Sequence, residues 1–284
     1  MRSSLGTFAL LFTLAGCHTD SAIGTPEPTD AQHRVGQPLT VHVIATDLAC
    51  GASITTDVRL EEDLTCVGDA LTVNGDGLKI NLNGHTITGN GTGNGITVRT
   101  RTDVVIHGGT IRNFTTGIFI AQSTGVIVKD NDFTANREAI FLNGASGNVV
   151  KANRAWQNTS RGIMLRPTTS GVTSTANIVV DNTLIDNPSG ILVFGQSRNT
   201  LKGNRISGSS VGAFDLTGGG GSGNEIKGNV LASSAAGIKF GTGWTGNFII
   251  GNTLVSNVCG LAGPSAANTY KDNAFSSNTT DICP

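Results

Sequence analysis

A six-residue pattern recurs through the second half of the chain: Asn, a variable residue, an apolar residue, two further residues and a closing Asn. Its copies occupy residues 148–153, 177–182, 199–204, 224–229, 247–252 and 268–273. Successive closing asparagines lie 21 to 29 residues apart. Internal repetition at this period is typical of solenoids, in which each repeat stacks on its neighbours along one axis.

The composition favours strands over helices in these repeats. Charged residues make up 14% of the 284-residue chain, and 39 residues are Gly, whereas charged residues account for about 25% of a typical globular domain. Glu and Lys are scarce, while Val, Thr, Asn and Gly favour strands and tight turns. The net charge of −1 offers no basic patch, so no nucleic-acid partner is expected. We therefore predict an all-β solenoid that forms a single domain.

Nine copies align on the closing position, which accepts only Asn, Gly or His. They are His85, Gly109, Asn131, Asn153, Asn182, Asn204, Asn229, Asn252 and Asn273. These residue types tolerate the left-handed backbone region, so the closing residue itself is predicted to form a sharp corner. Stacked asparagines there are expected to hydrogen-bond along the axis.

Apolar residues recur three positions before the closing residue and predict one interior row. Its members are Leu82, Ile106, Val128, Val150, Val179, Leu201, Ile226, Ile249 and Tyr270. Another strand in each repeat begins with Gly-Ile, as in Gly117-Ile118 and Gly162-Ile163. Three short strands and three turns in about 23 residues predict triangular coils, about nine in all.

Runs such as Asn199 to Ile206, of the form Asn-x-apolar-x-Gly-Asn-x-apolar, resemble a known repeat. It is the repeat of right-handed parallel β-helix proteins, which include polysaccharide lyases, hydrolases and epimerases and periplasmic copper-processing proteins. The resemblance covers residues 69–275 and implies a right-handed parallel β-helix. It does not fix the function, because one scaffold hosts many chemistries.

The N-terminus has the features of an export signal. Arg2 precedes a short apolar stretch from Leu5 to Leu14, which is too short to span a bilayer. The run Leu14-Ala15-Gly16-Cys17 resembles the lipobox of bacterial lipoproteins. The resemblance implies a signal peptide at 1–16, a lipid anchor on Cys17 and a place in the cell envelope, at the outer membrane or cell surface. Pro26, Pro28 and Pro38 lie among Thr, Asp and Gln, so the segment from the lipidated Cys17 to residue 40 is predicted to be a disordered tether, 17–40. The alternative is an ordinary secretory signal with an incidental Cys17.

The other four cysteines allow three disulfide pairings. About nine coils with a rise of about 4.8 Å separate the ends of the solenoid by roughly 40 Å. A disulfide needs Cα atoms within about 7 Å of each other. We therefore predict a Cys50–Cys66 disulfide in an N-terminal cap at 41–68 and a Cys259–Cys283 disulfide that holds a C-terminal cap at 276–284.

The residues that follow Gly-Ile are predicted to face outward, yet five of them are apolar: Phe119, Phe141, Met164, Leu192 and Phe214. The resemblance implies that family enzymes work on this face. Exposed apolar patches commonly mark binding sites, so Phe119 and Phe141 are predicted to form a platform for sugar rings. The alternative is that the tether, the N-terminal segment 41–65 or a long turn covers the stripe.

Charged candidates lie near two elongated turns, which run from Leu165 to Asn177 and from Asp215 to Asn224. Glu138 and Arg161 are expected to form a surface ion pair. Arg161 and Arg166 are also candidates for holding the carboxylate of a uronate. Asp215 occupies a position that is apolar in neighbouring coils. Either the strand shifts by one residue and turns Phe214 inward, or Asp215 is a functional acid.

These observations predict an envelope lipoprotein whose β-helix binds polysaccharide or serves as a surface scaffold for an envelope protein. The alternative is a metal-independent polysaccharide lyase that acts on uronates. Neither a cofactor nor a metal is expected, because no cluster of suitable ligands aligns. The membrane contact is expected through the lipid anchor, and the protein is expected to be a monomer.

Overall fold

The computed structural model describes residues 43–45 and 48–284. The predicted signal peptide, the lipidation of Cys17 and the tether lie outside the described residues. Within the described part of the chain, no helix has the length and hydropathy needed to cross a membrane.

Short strands joined by tight turns follow one another along the whole described chain. In order they are β1 (Val43–Ala45), β2 (Ala52–Ile54), β3 (Val58–Leu60), β4 (Leu64–Thr65), β5 (Leu71–Val73), β6 (Lys79–Asn81), β7 (Thr86–Thr88), β8 (Asn94–Arg99), β9 (Val105–His107), β10 (Thr110–Arg112), β11 (Thr116–Ala121), β12 (Ile127–Lys129), β13 (Asp132–Thr134), β14 (Glu138–Asn143), β15 (Val149–Lys151), β16 (Arg154–Trp156), β17 (Arg161–Arg166), β18 (Ile178–Val180), β19 (Thr183–Ile185), β20 (Ser189–Phe194), β21 (Thr200–Lys202), β22 (Arg205–Ser207), β23 (Gly212–Thr217), β24 (Glu225–Lys227), β25 (Val230–Ala232), β26 (Ala236–Phe240), β27 (Phe248–Ile250), β28 (Thr253–Val255), β29 (Cys259–Ala262), β30 (Thr269–Lys271), β31 (Ala274–Ser276) and β32 (Thr280–Cys283).

The strands form three parallel sheets that run the length of a solenoid. Sheet A has 11 strands and begins β1, β3, β6; sheet B has 11 strands and begins β2, β5, β8; sheet C has 10 strands and begins β4, β7, β10. The chain visits sheets B, A and C in turn, so each coil adds one strand to each sheet. The predicted right-handed parallel β-helix with three strands per coil is thereby confirmed. The sheets continue on both sides of residues 69–275, into both predicted caps.

The interior is filled by apolar rows that lie in register from coil to coil. The row of sheet A consists of Ile80, Ile106, Val128, Val150, Val179, Leu201, Ile226 and Ile249, all fully buried. This confirms the predicted row except in one coil, where Ile80 rather than Leu82 pairs with Ile106. Each fully buried side chain of this size stabilises the fold by about 1.5–3 kcal/mol.

Replacing Ile163 by Ala should lower the free energy of unfolding by about 2–5 kcal/mol, because a cavity would remain in the sheet B row. Ile163 is fully buried and pairs with Ile140 and Ile191. Urea unfolding would measure the loss. Ile178→Ala is the matched control, since Ile178 is 42% exposed and should change stability by less than about 0.5 kcal/mol. Equal losses in the two variants would contradict the inward placement of Ile163.

Buried asparagines form hydrogen-bonded ladders at the corners of the coils. In the predicted row, Asn131, Asn153 and Asn182 each donate through Nδ2 to the Oδ1 of the next asparagine, at 3.0–3.3 Å. Asn136, Asn158 and Asn187 form a second ladder of the same kind. The third ladder contains Asn148, Asn177, Asn199, Asn224, Asn247 and Asn268. These bonds use amide groups that would otherwise be unsatisfied in the interior.

The predicted left-handed conformation of the closing asparagines is wrong by one residue. The residue before each closing asparagine has positive φ: Asp130 at 54°, Ala152 at 52° and Asp181 at 55°. The left-handed residue makes the corner, and the asparagine after it then directs its amide into the stack.

Both predicted disulfides are present. Cys50 and Cys66 have Cα atoms 5.4 Å apart, and Cys259 and Cys283 have Cα atoms 6.2 Å apart. The first disulfide spans β2 to β4, and the second joins β29 to its neighbour β32.

Candidate functional site

The outer face of sheet B carries one continuous row of side chains, which we call the outer row. Strand register places these residues opposite one another in the order Thr97, Phe119, Phe141, Met164, Leu192, Asp215 and Lys239. The row therefore changes from aromatic to aliphatic to charged along the solenoid axis. Of the segments that could cover the row, the tether lies outside the described residues, whereas residues 48–65 of the N-terminal segment form the first coil, with β2 paired to β5 at the end of sheet B.

Phe214, predicted to face outward, faces inward instead. It pairs with Ile191 and Ile238 in the interior row and is fully buried. Ala213 occupies the small-residue position that Gly190 holds in the preceding coil. The outward prediction for Phe214 takes Gly212 as that position and is therefore wrong by one residue. The alternative in which the strand shifts is therefore correct, and Asp215 takes the outward position.

The aromatic end of the outer row is formed by Phe119 and Phe141. Their ring centroids lie 5.3 Å apart with an interplanar angle of 58°, and both side chains are half-buried. The guanidinium carbon of Arg99 lies 5.2 Å from the Phe119 ring centroid. Such a contact between a cation and an aromatic ring is favourable and holds the guanidinium near the ring face. Met164 and Leu192 continue the row and are each 5% exposed.

A second row of side chains on this face, two residues after the outer row, contains two arginines that line one pocket. Arg99, Ala121, Asn143 and Arg166 occupy equivalent positions on four successive strands. Arg99, Asn143 and Arg166, with Phe141 and the turn at 167–170, line a cavity of about 320 Å³, which we call the arginine pocket. Sequence reasoning identified Arg166 and Phe141 but missed Arg99, although Arg99 follows Thr97 by two residues as Arg166 follows Met164.

The elongated turn after Arg166 forms one wall of the arginine pocket. Its loop is closed by a hydrogen bond from the Thr168 amide to the Val172 carbonyl at 2.8 Å. The Ser174 hydroxyl fixes its far end by donating to the Leu142 carbonyl at 3.2 Å. The other elongated turn packs differently: Gly218, with φ of 82°, lies directly against the Phe194 ring, where a side chain would clash.

Glu138 and Arg161 form the predicted ion pair, with Arg161 Nη1 3.0 Å from Glu138 Oε1. Arg137 Nε lies 3.6 Å from the same oxygen. The Glu138 side chain is only 7% exposed, so the pair is more buried than the predicted surface pair. Arg161 and Arg166, the two arginines predicted to hold one carboxylate, lie at opposite ends of β17. Arg166 lines the arginine pocket with Arg99, and Arg161 does not line it.

Residues 69–231 match the sequence profile described as the right-handed beta helix region. The chain belongs to the right-handed β-helix family. No curated protein sequence matches this β-helix. Among its described residues, no group of three or more His, Cys, Asp or Glu side chains is placed to hold a metal ion.

Solved structures similar to this β-helix include enzymes of carbohydrate chemistry. The periplasmic alginate epimerase AlgG aligns with a TM-score of 0.61 at 14% identity, over 78% of this chain and 76% of AlgG. DFA-IIIase from Arthrobacter chlorophenolicus A6, without its lid, aligns at 0.56 and 16% identity, over 80% and 69%. The A-module of the mannuronan C-5 epimerase AlgE6 from Azotobacter vinelandii aligns at 0.50 and 15% identity, over 83% and 76%. At these identities the likeness shows the fold alone.

Proposed function

We propose that this β-helix binds an acidic polysaccharide along the outer face of sheet B. The observation that carries the proposal is the arginine pocket, in which Arg99, Arg166 and Phe141 line one cavity. A guanidinium group binds a carboxylate through two parallel hydrogen bonds. An aromatic side chain presents an apolar face to a sugar ring. The pocket thus combines the two kinds of contact that an acidic sugar requires.

The spacing of the two arginines favours a polymer over a single sugar. Arg99 lies on β8 and Arg166 on β17, three coil steps apart, which is about 14 Å along the axis. The backbone positions of the two arginines are thus far enough apart for their side chains to reach acidic groups on different units of one chain. Phe119 and Phe141 lie between them and support the units that connect those groups.

The proposal extends to the location of the protein. Cleavage before Cys17 and lipidation of its sulfur would anchor the β-helix in the cell envelope, with the polysaccharide as its partner. Two disulfides are consistent with a compartment that permits oxidation. AlgG and AlgE6 act on alginate and mannuronan, which are acidic polysaccharides, and this supports the choice of ligand class.

Arg166→Gln should weaken binding of an oligogalacturonate at least about tenfold, because a charge-assisted hydrogen bond contributes about 1.5–3 kcal/mol. Phe141→Ala should also weaken binding, since it removes the stacking surface. Isothermal titration of the purified protein would measure both effects. Arg205→Gln is the matched control, because Arg205 is exposed on the outer face of sheet C, and it should bind as the wild type does. Unchanged affinity in both test variants would contradict the proposed site.

A lyase is the second candidate function, and its base would have to lie near the arginine pocket, because Lys239 is three coil steps, about 14 Å, from the strand of Arg166. In that reaction a base removes the proton next to the carboxylate, an arginine stabilises the negative charge that develops, and the glycosidic oxygen leaves as a double bond forms. The ultraviolet absorbance of the unsaturated product would reveal this reaction in the same mixtures. Binding without product over a range of uronate polymers would exclude the lyase.

A further inference from the structure

Phe194 lies beside the arginine pocket and contacts one of its arginines. It continues the second row of side chains on sheet B one coil beyond Arg166. The guanidinium carbon of Arg166 lies 5.2 Å from the centroid of the Phe194 ring. Arg99 lies at the same distance from the ring of Phe119, which is also on the next strand. Each arginine of the pocket therefore rests on the aromatic ring of a neighbouring strand.

Neither of these two guanidinium groups is neutralised by an acidic side chain. In the described part of the chain, no carboxylate oxygen lies within 4.0 Å of a side-chain nitrogen of Arg99 or Arg166. Arg166 is exposed, and a free arginine side chain loses conformational freedom when it binds a ligand. A ring that already holds the guanidinium in place reduces that loss.

Gly218 supports the Phe194 ring on the side away from Arg166. Phe194 pairs with Thr217 on the next strand, and Gly218 follows Thr217 directly. A Cβ added at Gly218 would lie 2.6–2.7 Å from three atoms of the ring. The ring thus lies between the Gly218 backbone and the guanidinium of Arg166, so it cannot withdraw from the arginine. Gly218 itself does not line the arginine pocket.

We propose that Phe194 is a positioning residue of the arginine pocket and that Gly218 keeps its ring against Arg166. This inference rests on the proposed function, because its consequence is the affinity for an acidic ligand. It also gives the second elongated turn, which contains Gly218, a role in the site. The first elongated turn forms a wall of the pocket, whereas the second acts on an arginine of the pocket through one aromatic ring.

Phe194→Leu should weaken binding of tetragalacturonate to the purified protein by about three- to tenfold, because leucine removes the ring that holds the guanidinium. Phe194→Tyr keeps the ring and should bind within about twofold of the wild type. Isothermal titration would measure both variants. In the Arg166→Gln background, Phe194→Leu should cause no further loss, since it acts through the arginine. Equal losses in the two backgrounds would show a merely structural role and overturn the inference.

Gly218→Ala should reproduce the loss of affinity, because the added Cβ would displace the Phe194 ring. Gly219→Ala is the matched control. Gly219 has φ of 86°, close to the 82° of Gly218, so alanine is similarly strained at both positions. Nothing lies within 4 Å of a Cβ added at Gly219, and this variant should bind as the wild type does. Equal affinities of the two alanine variants would overturn the proposed arrangement.

The outcomes separate this inference from the proposed function. Failure of the wild type to bind tetragalacturonate overturns both. Wild-type affinity in Phe194→Leu, together with weak binding by Arg166→Gln, overturns the positioning role alone. If Gly218→Ala does not fold, or if Arg166→Gln binds too weakly for the double variant to be compared, the two variants of Phe194 decide. A loss in the leucine variant that tyrosine restores supports the inference, and equal losses in both contradict it.

Discussion

Asn204→Ala is expected to lower the free energy of unfolding by at least about 3 kcal/mol. Asn204 Oδ1 accepts hydrogen bonds from the backbone N–H and from the Nδ2 of Asn182, both at 3.0 Å. Its own Nδ2 donates to the Val179 carbonyl at 2.9 Å and to Asn229 Oδ1 at 3.1 Å. All these groups are buried, so alanine would leave a backbone N–H and a carbonyl unsatisfied, at about 1–3 kcal/mol each.

Urea unfolding monitored by circular dichroism would measure this loss. Asn273→Ala is the graded control, because Asn273 belongs to the same ladder at its half-buried end. It receives hydrogen bonds from Asn252 and donates to the Ile249 carbonyl at 2.7 Å. Its replacement should destabilise the protein less than the change at Asn204. A wild-type unfolding midpoint for Asn204→Ala would show that the ladder contributes little to stability.

Phe214→Ala should destabilise the protein by about 3–5 kcal/mol, the usual cost of truncating a buried aromatic side chain. Phe214 is fully buried between Ile191 and Ile238 of the interior row. Because the side chain points away from the outer face, the affinity of the folded variant for acidic oligosaccharides should remain that of the wild type. The expected result is thus a large change in stability with a small change in binding.

Phe141→Ala is the matched comparison and should give the opposite result, since its half-buried ring lies in the outer row. Unfolding in urea and titration with the oligogalacturonate would be measured for both variants under conditions in which each is folded. A selective loss of binding in Phe214→Ala would place that ring on the outer face after all and overturn the register of β23.

The fold was predictable because its determinants repeat. One alignment of closing asparagines placed Ile106, Val128, Val150 and Val179 in a common interior, as the structure confirms. The alignment nevertheless assigned the corner to the wrong residue. The left-handed residue before the closing position is Gly84, Gly108, Gly203, Gly228 or Gly251 in five coils, which is the usual sequence signal for this conformation. In the other four coils it is Asp130, Ala152, Asp181 or Asp272, and these residue types signal the conformation less clearly.

The candidate site was less predictable, because it depends on register at single residues. Ala213 replaces a glycine in a position where Gly190 approaches the next strand closely, with a hypothetical Cβ 2.6 Å from the Ala213 carbonyl oxygen. Ala139 makes the same replacement elsewhere, so either Gly or Ala marks this position. Taking Gly212 rather than Ala213 as the small residue is what placed Phe214 on the outer face. Arg99 was missed because the row that contains it, Arg99, Ala121, Asn143 and Arg166, repeats no residue type from coil to coil. Nothing in the sequence therefore linked Arg99 to Arg166.

The Cys259–Cys283 disulfide determines whether unfolding can begin at the C-terminal coil. In a solenoid every inner coil has two neighbours, whereas a terminal coil has one and is the easiest to detach. The disulfide ties β32 to β29, so the last coil cannot peel away while it is oxidised. After reduction, the last coil could unfold first and the coils before it would follow in order. Unfolding would then be sequential rather than cooperative. Hydrogen exchange in reductant would then advance coil by coil from the C-terminus.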